Sequence, residues 1–280
     1  KHLGLLKCAL CALLHSGTCA APSLHGIQLA LSLAQLLARL TTAPLTAPLH
    51  VLMLTIGVFP SRHTVSDVAH GGAWGFARVL RLEHPALRTQ SVDVSHVGTM
   101  LPLPFHTPTA ETEASWRGTE SFAARLRACN TTSARAQALG RGVCALTGGF
   151  GGLGLRAAAL LVECGASAVL LVSRSGRVAR DGEGLVMQLR SMSAAASAVA
   201  CDSADFWEAS VLLFVHAFSS VLHAAGVLRD KMLRSMVTND LDASFAPKAL
   251  AASHVHNAIV YSPIETFGLF SSVASTSGNV

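Results

Sequence analysis

A short apolar run, Gly142-Val143-Cys144-Ala145-Leu146-Thr147, leads at once into Gly148-Gly149-Phe150-Gly151-Gly152-Leu153-Gly154 and then into a helical pattern ending near Cys164. No other stretch restricts the fold as tightly. Residues 142–147 have the length and content of a buried strand, and Gly165 is a natural stop for a helix over 152–164. The glycines between them let the backbone turn sharply and approach a ligand with no Cβ in the way. The helix that opens there offers free N–H groups and the positive end of its dipole, a setting for phosphate. A lone G-x-G-x-x-G means little, but strand, glycine turn and helix in this order form a dinucleotide-binding arrangement. Thr147, Gly148, Gly149, Phe150, Gly151, Gly152, Leu153 and Gly154 are thus candidate cofactor contacts.

Two α/β patterns follow one another. In the first, helical spacing over 27–40 is followed by a Pro/Thr linker over 41–48 and an apolar strand over 50–58. A helix over 68–84 stops before Pro85, a strand covers 90–94, and 102–108 is a Pro-rich surface loop. In the second, strands over 142–147, 168–173, 198–202, 219–223 and 267–271 alternate with helices over 152–164, 185–193 and 241–258. Such alternation builds a doubly wound parallel sheet. The composition agrees: 51% of residues are hydrophobic and only 13% charged, as suits strands buried on both faces.

Charge and cysteines exclude several functions. The net charge is +5, but the cations are scattered and no basic run is interleaved with aromatics, which argues against nucleic-acid binding. Mild basicity favours an anionic partner, such as a phosphorylated cofactor or an acidic carrier protein. There are seven cysteines, and Cys8-x-x-Cys11 lacks the second ligand pair of a zinc site, so no metal is expected. His254-x-His256 lacks partners too, and Met232 and Met236 read as core. Residues 3–14 loosely imitate a signal peptide but are interrupted by Lys7, and the sequence opens on Lys1, as a piece of a longer polypeptide would. No apolar run reaches the ~20 residues of a membrane span. Reduced cysteines and the absence of a span lead to a cytoplasmic expectation, a plastid being the alternative.

The second strand of the later pattern ends in Ser173-Arg174-Ser175-Gly176. An acidic residue there would bind a ribose 2′-hydroxyl. Arg174 suits a 2′-phosphate instead, by charge and bidentate hydrogen bonding, and so predicts NADPH.

At this point the sequence resembles the ketoreductase domain of modular polyketide synthases and the related fatty acid synthases, within the short-chain dehydrogenase/reductase superfamily. T-G-G-F-G-G-L-G at 147–154 looks like the family's cofactor loop, and Ser173-Arg174 like its 2′-phosphate clamp. Cys201-Asp202 resembles the pair beside the adenine, and His223-Ala224-Ala225-Gly226-Val227 the segment under the cofactor. Pro247-Lys248 matches the active-site Lys, which also serves the cofactor, and in Phe270-Ser271-Ser272 the second Ser matches the catalytic one. In the first half, Trp74-Gly75-Phe76-Ala77-Arg78 through Glu83-His84-Pro85 is similar to the W-G-x-x-R-x-x-x-x-E-H-P helix of the family's structural subdomain. Trp116-Arg117-Gly118 through Arg125-Leu126 resembles that subdomain's closing strand region.

The resemblance implies an α/β fold of two Rossmann-like subdomains. A truncated, cofactor-free structural one would span 1–137, and a doubly wound parallel-sheet one binding NADPH would span 138–280. It implies hydride transfer to a β-ketoacyl group carried by the phosphopantetheine of an acyl carrier protein, among neighbouring synthase domains. Ser272 would hydrogen-bond the ketone oxygen, a Tyr would protonate it, and Lys248 would favour the phenolate. Leu228-Arg229-Asp230 resembles the L-x-D of B-type reductases, with a (3R) alcohol as the implied product. The only tyrosine, Tyr261, precedes Ser272 and does not match. The family's G-N-x-G-Q-x-x-Y begins at Gly278-Asn279, so the catalytic Tyr is expected after Val280 and this stretch alone is expected to be inactive. Residues 205–218 look shorter and more apolar than the family's helix there. The alternatives are a non-catalytic or degenerate ketoreductase remnant and a standalone short-chain dehydrogenase.

Overall fold

In the computed structural model, which describes residues 8–13, 22–40, 49–59, 68–95, 111–128, 141–178, 187, 191 and 196–277, the chain forms two compact units. Unit 1 comprises Lys1–Ala128, Asp230–Leu241 and Ser272–Val280, and unit 2 comprises Cys129–Arg229 and Asp242–Ser271. The expected linker over 41–48 and loop over 102–108 lie outside the described residues. So does the helix over 185–193, apart from Met187 and Ser191.

Unit 1 is a five-stranded sheet ordered β1 (Cys8–Leu13), β2 (His50–Ile56), β3 (Thr89–Val94), β4 (Glu113–Arg117) and β5 (Glu120–Phe122). The first four strands are parallel, and β5 returns antiparallel to β4 through a turn with Gly118 at φ 62°. The stretch that imitates a signal peptide contains β1. Cys8 and Cys11, three residues apart on a strand, face opposite ways: Cys8 is exposed and Cys11 buried, which is no zinc geometry. Helix α1 (His25–Leu40) buries Ala30, Leu31, Ala34 and Leu37, and helix α2 (Gly71–Glu83) buries Ala73, Phe76, Ala77 and Leu80, in one core with β1 and β2.

The W-G-x-x-R-x-x-x-x-E motif is explained inside this unit. Trp74 Nε1 donates to Thr55 Oγ1 (3.0 Å), which donates to the buried Asp93 carboxylate (2.8 Å). Asp93 also accepts from the backbone N–H groups of Val58 (3.0 Å) and Phe59 (3.2 Å), closing the loop after β2. Burial raises the Asp93 pKa, and those donors pull against the rise. Arg78 holds Glu113 by two bonds of 2.8 and 2.7 Å, and Arg81 pairs with the same carboxylate. Glu83 accepts from the Leu233 N–H (2.8 Å), and Gln35 donates to the Leu233 (2.8 Å) and Met236 (2.9 Å) carbonyls. These bonds, with Leu233 buried in the core, fasten Asp230–Leu241 to unit 1. Met236 packs against that core, whereas Met232 is exposed.

Unit 2 is an all-parallel sheet of β6 (Gly142–Thr147), β7 (Ala166–Ser173), β8 (Ala196–Ala200), β9 (Ser220–His223) and β10 (Thr266–Leu269), in the order β10-β9-β6-β7-β8. Alternation along the strands feeds two cores. Cys144, Leu146, Val169 and Leu171 face helix α3 (Gly152–Glu163) through Leu155, Ala158 and Leu161. Ala145, Leu170, Val172 and Val221 face the other way, toward Leu212 and Leu213 of helix α4 (Phe206–Val215) and Val255 and Ile259 of helix α6 (Ala251–Ile259). The apolar stretch over 205–218 does form a helix, capped by the Asp205 carboxylate, which accepts from Trp207 N and Glu208 N (both 2.9 Å). The expected helix over 241–258 is one run from 238 to 259. Helix α5 (Thr238–Phe245) passes through a π turn (Ala246–Leu250) into α6. Pro247 has no N–H to give the preceding turn, and its ring crowds the carbonyl there, so widening the helix relieves both. Among the described residues no helix is long and apolar enough to cross a membrane.

Asp93→Ala removes the acceptor for three donors. It is expected to destabilise the chain by about 2–3 kcal/mol, read from the urea midpoint at constant slope.

Candidate functional site

In unit 2, β6 is flanked by β7 on one side and β9 on the other, and the strand order reverses between β6 and β9. In open α/β sheets ligands bind at the carboxyl ends of the strands at such a switch point. The glycine turn is found there. Gly148 N and Gly149 N both donate to the Val172 carbonyl at the end of β7 (2.8 and 3.2 Å), and Gly151 N donates to the Gly148 carbonyl (3.0 Å). Gly148 has φ 70°, and a Cβ on it would meet backbone atoms of Ala225 at 2.6 Å. A Cβ on Gly154 would come within 2.5 Å of the Gly148 carbonyl oxygen. Gly151 and Gly152 are exposed, with no such crowding, and Gly151 caps α3 without any side-chain bond. The first N–H groups of α3 therefore open outward, as a phosphate requires.

The other candidates fall around this turn in different ways. The Phe150 side chain is buried in the α3-side core and Leu153 is exposed. Ser173 Oγ accepts from Gly176 N (3.1 Å), holding the turn after β7, while Arg174 in that turn is exposed. Cys201 N donates to the Ser173 carbonyl (2.9 Å), so the Cys201-Asp202 pair lies beside that turn. Burial, with the neighbouring carboxylates of Glu208, Asp202 and Asp205, pushes the Cys201 thiol up to about 11, leaving it a neutral packing group. Asp202 accepts from Ala204 N (3.0 Å).

His223 ends β9 and is 4% exposed. Its Nδ1 lies 2.6 Å from Thr147 Oγ1 and its Nε2 3.0 Å from the Lys248 carbonyl. Burial lowers its pKa, against the pull of the Lys248 and Pro247 carbonyls. Ala224 N continues the strand by donating to the Thr147 carbonyl (2.9 Å). The Lys248 stem lies across Gly226, where a Cβ would meet Cε at 2.8 Å. Thr147, His223, Gly226 and Lys248 are thus brought together within unit 2.

Ser272 belongs to unit 1, as does Asp230, while Lys248 and Leu228 belong to unit 2. Ser272 is exposed. Its Oγ accepts from Ala274 N (3.2 Å), at the start of the short helix α7 (Ala274–Ser277). Leu228 and Asp230 are exposed as well. Tyr261 is 99% exposed in a turn before β10. No group of three metal-ligating side chains occurs among the described residues. The bonds of Gln35 and Glu83 to Asp230–Leu241 had no signal in the sequence. The α4 cap did, in an Asp just ahead of an apolar run.

A parallel sheet in the order 3-2-1-4-5, with a glycine turn at its switch point, defines a Rossmann-type nucleotide-binding domain. The comparisons narrow the class. The KR domain family matches residues 142–280. Polyketide synthase GfsB of Streptomyces halstedii is 38% identical over 143 residues, 49% of this chain and 3% of that protein. Spectinabilin polyketide synthase system protein NorA′ of Streptomyces orinoci is 33% identical over 239 residues, 82% of this chain and 6% of that protein. The solved structure of A-type ketoreductases from a modular polyketide synthase superposes with a TM-score of 0.74 at 30% identity, covering 96% of this chain and 58% of that one. The chain belongs to the ketoreductase domain family of polyketide synthases, within the short-chain dehydrogenase/reductase superfamily. It spans a small fraction of the synthases it matches.

Gly148→Ala meets both the positive φ and the Ala225 backbone, and is expected to cost about 2–4 kcal/mol in chemical denaturation. Gly152→Ala, in open space at the first helical position, is expected to stay within about 0.5 kcal/mol of the parent.

Proposed function

We propose that this chain is the NADPH-binding part of a ketoreductase that reduces a β-ketoacyl group on an acyl carrier protein to the β-hydroxyacyl group. The observation that carries the reading is the open N-terminus of α3 behind the glycine turn, with Arg174 at the end of the neighbouring strand β7. The pyrophosphate would meet the α3 N–H groups, and the bare backbone at Gly151 and Gly152 allows close approach. Arg174, unrestrained and exposed, would take the 2′-phosphate by charge and paired hydrogen bonds. NADPH supplies the hydride when bound.

The chain's own residues handle the rest. Lys248, whose stem is guided over Gly226, presents an ammonium that favours anionic groups near it. The Ser272 hydroxyl would donate to the ketone oxygen as negative charge builds there. Leu228 and Asp230, in the L-x-D pattern, would bias the product toward the (3R) alcohol. The partners in this reading are an acyl carrier protein and the neighbouring domains of a synthase. The place of work in this reading is the cytoplasm or a plastid.

Arg174→Glu replaces attraction for the 2′-phosphate by repulsion. NADPH affinity, titrated by nicotinamide fluorescence, is expected to fall about tenfold or more while NADH affinity changes little. Unchanged NADPH affinity would overturn the cofactor assignment.

A further inference from the structure

His223 occupies a place in the motif that resembles the segment under the cofactor, yet its side chain is buried and both ring nitrogens are engaged inside the protein. A carbonyl oxygen can only accept, so the bond at 3.0 Å to Lys248 places the ring proton on Nε2. Nδ1 is then an acceptor, and the Thr147 hydroxyl at 2.6 Å donates to it. Burial lowers the pKa of the ring and keeps it in this neutral form.

The Lys248 carbonyl belongs to the π turn between α5 and α6. There the Ala251 N–H reaches back to the Ala246 and Lys248 carbonyls, an irregular arrangement that leaves room for a second donor at Lys248. The Lys248 stem runs over Gly226, three residues beyond His223. One ring therefore ties the last residue of β6, which leads into the glycine turn, to the backbone from which the Lys248 side chain projects.

We propose that His223 is the positioning residue for Lys248: through its Nε2–H it holds the carbonyl of the π turn, and so sets where the Lys248 ammonium stands relative to the glycine turn. This rests on the reading of Lys248 as the cation of the reducing site. His223 acts through Lys248 and touches no substrate.

Two substitutions separate the ring's two bonds. In His223→Gln the amide nitrogen reaches the place of Nε2 and keeps the donor to Lys248. In His223→Asn the shorter amide reaches only the place of Nδ1 and keeps the Thr147 contact. The whole chain is used, with its lysines carrying 13C-dimethyl labels and the Lys248 signal assigned by Lys248→Arg. His223→Gln is expected to keep the Lys248 signal in place and NADPH affinity within about twofold. His223→Asn is expected to shift that signal and weaken NADPH about fivefold, as the loss of one buried hydrogen bond allows. Equal behaviour of the two variants, or an unmoved Lys248 signal in His223→Asn, overturns the proposal. Ring 15N spectra of the unmutated chain give a second decision that needs no variant: a protonated Nε2 with a bare Nδ1 supports it, and the opposite tautomer overturns it. If the unmutated chain fails to bind NADPH, the cofactor reading falls, while the lysine and ring signals still decide the role of His223.

Discussion

Backbone packed directly on backbone is the constraint on which unit 2 depends. The glycine turn is wedged between the end of β7, whose Val172 carbonyl takes two of its N–H groups, and the segment just after β9, where Ala225 leaves no room for a Cβ at Gly148. Gly154 lets the first turn of α3 rest on the Gly148 carbonyl. These contacts hold α3 with its N-terminus at the switch point of the sheet. A Cβ on Gly149 would meet the Leu146 carbonyl oxygen at 2.8 Å, whereas Gly151 and Gly152 meet no protein atoms that would exclude a side chain. The same cluster thus divides into glycines that the fold needs and glycines that leave the helix end bare.

The first half of the sequence carries a motif just as dense and puts it to a different use. Trp74, Arg78 and Glu83 each satisfy a polar group within unit 1: the Thr55–Asp93 pair, the Glu113 carboxylate and the Leu233 N–H. Asp93 stays buried because three donors surround it, and Arg81 stays half-buried beside Glu113, with burial pulling its pKa down and the carboxylate holding it up. The chemistry of these residues is spent on structure.

Around Lys248 the helix gives up regularity. Pro247 denies the preceding turn a donor, the run widens into a π turn, and a buried neutral histidine takes a carbonyl there. The Thr147–His223–Lys248 chain links three elements far apart in sequence with two hydrogen bonds of good length. Such a chain is stiff, because each group in it has its partner and the ring is out of water.

Much of this was legible beforehand, because it depends on local rules. Strand-length apolar runs, Gly165 at a helix end and Pro85 after α2 placed most elements within a few residues. The turn at 147–154 announced its site through glycines that only a close approach explains. Strand β1 was obscured, since residues 3–14 have the composition of a leader and only pairing with β2 makes Cys8–Leu13 a strand. Helix α4 was obscured because, Glu208 and Ser210 aside, it is apolar on its exposed as well as its buried side, which blurs its periodicity. Ser272, Lys248 and Arg174 could be picked out by residue type and order. The state of His223 could not, because a tautomer is set by what stands at each ring nitrogen, and those partners are 76 and 25 residues away. The sequence by itself determined the α/β class and the glycine turn. Tertiary structure decided that Asp230–Leu241 packs with unit 1, that Cys8 and Cys11 part company, and that His223 looks inward to Lys248. Each of these turns on contacts between distant segments, which no local pattern encodes.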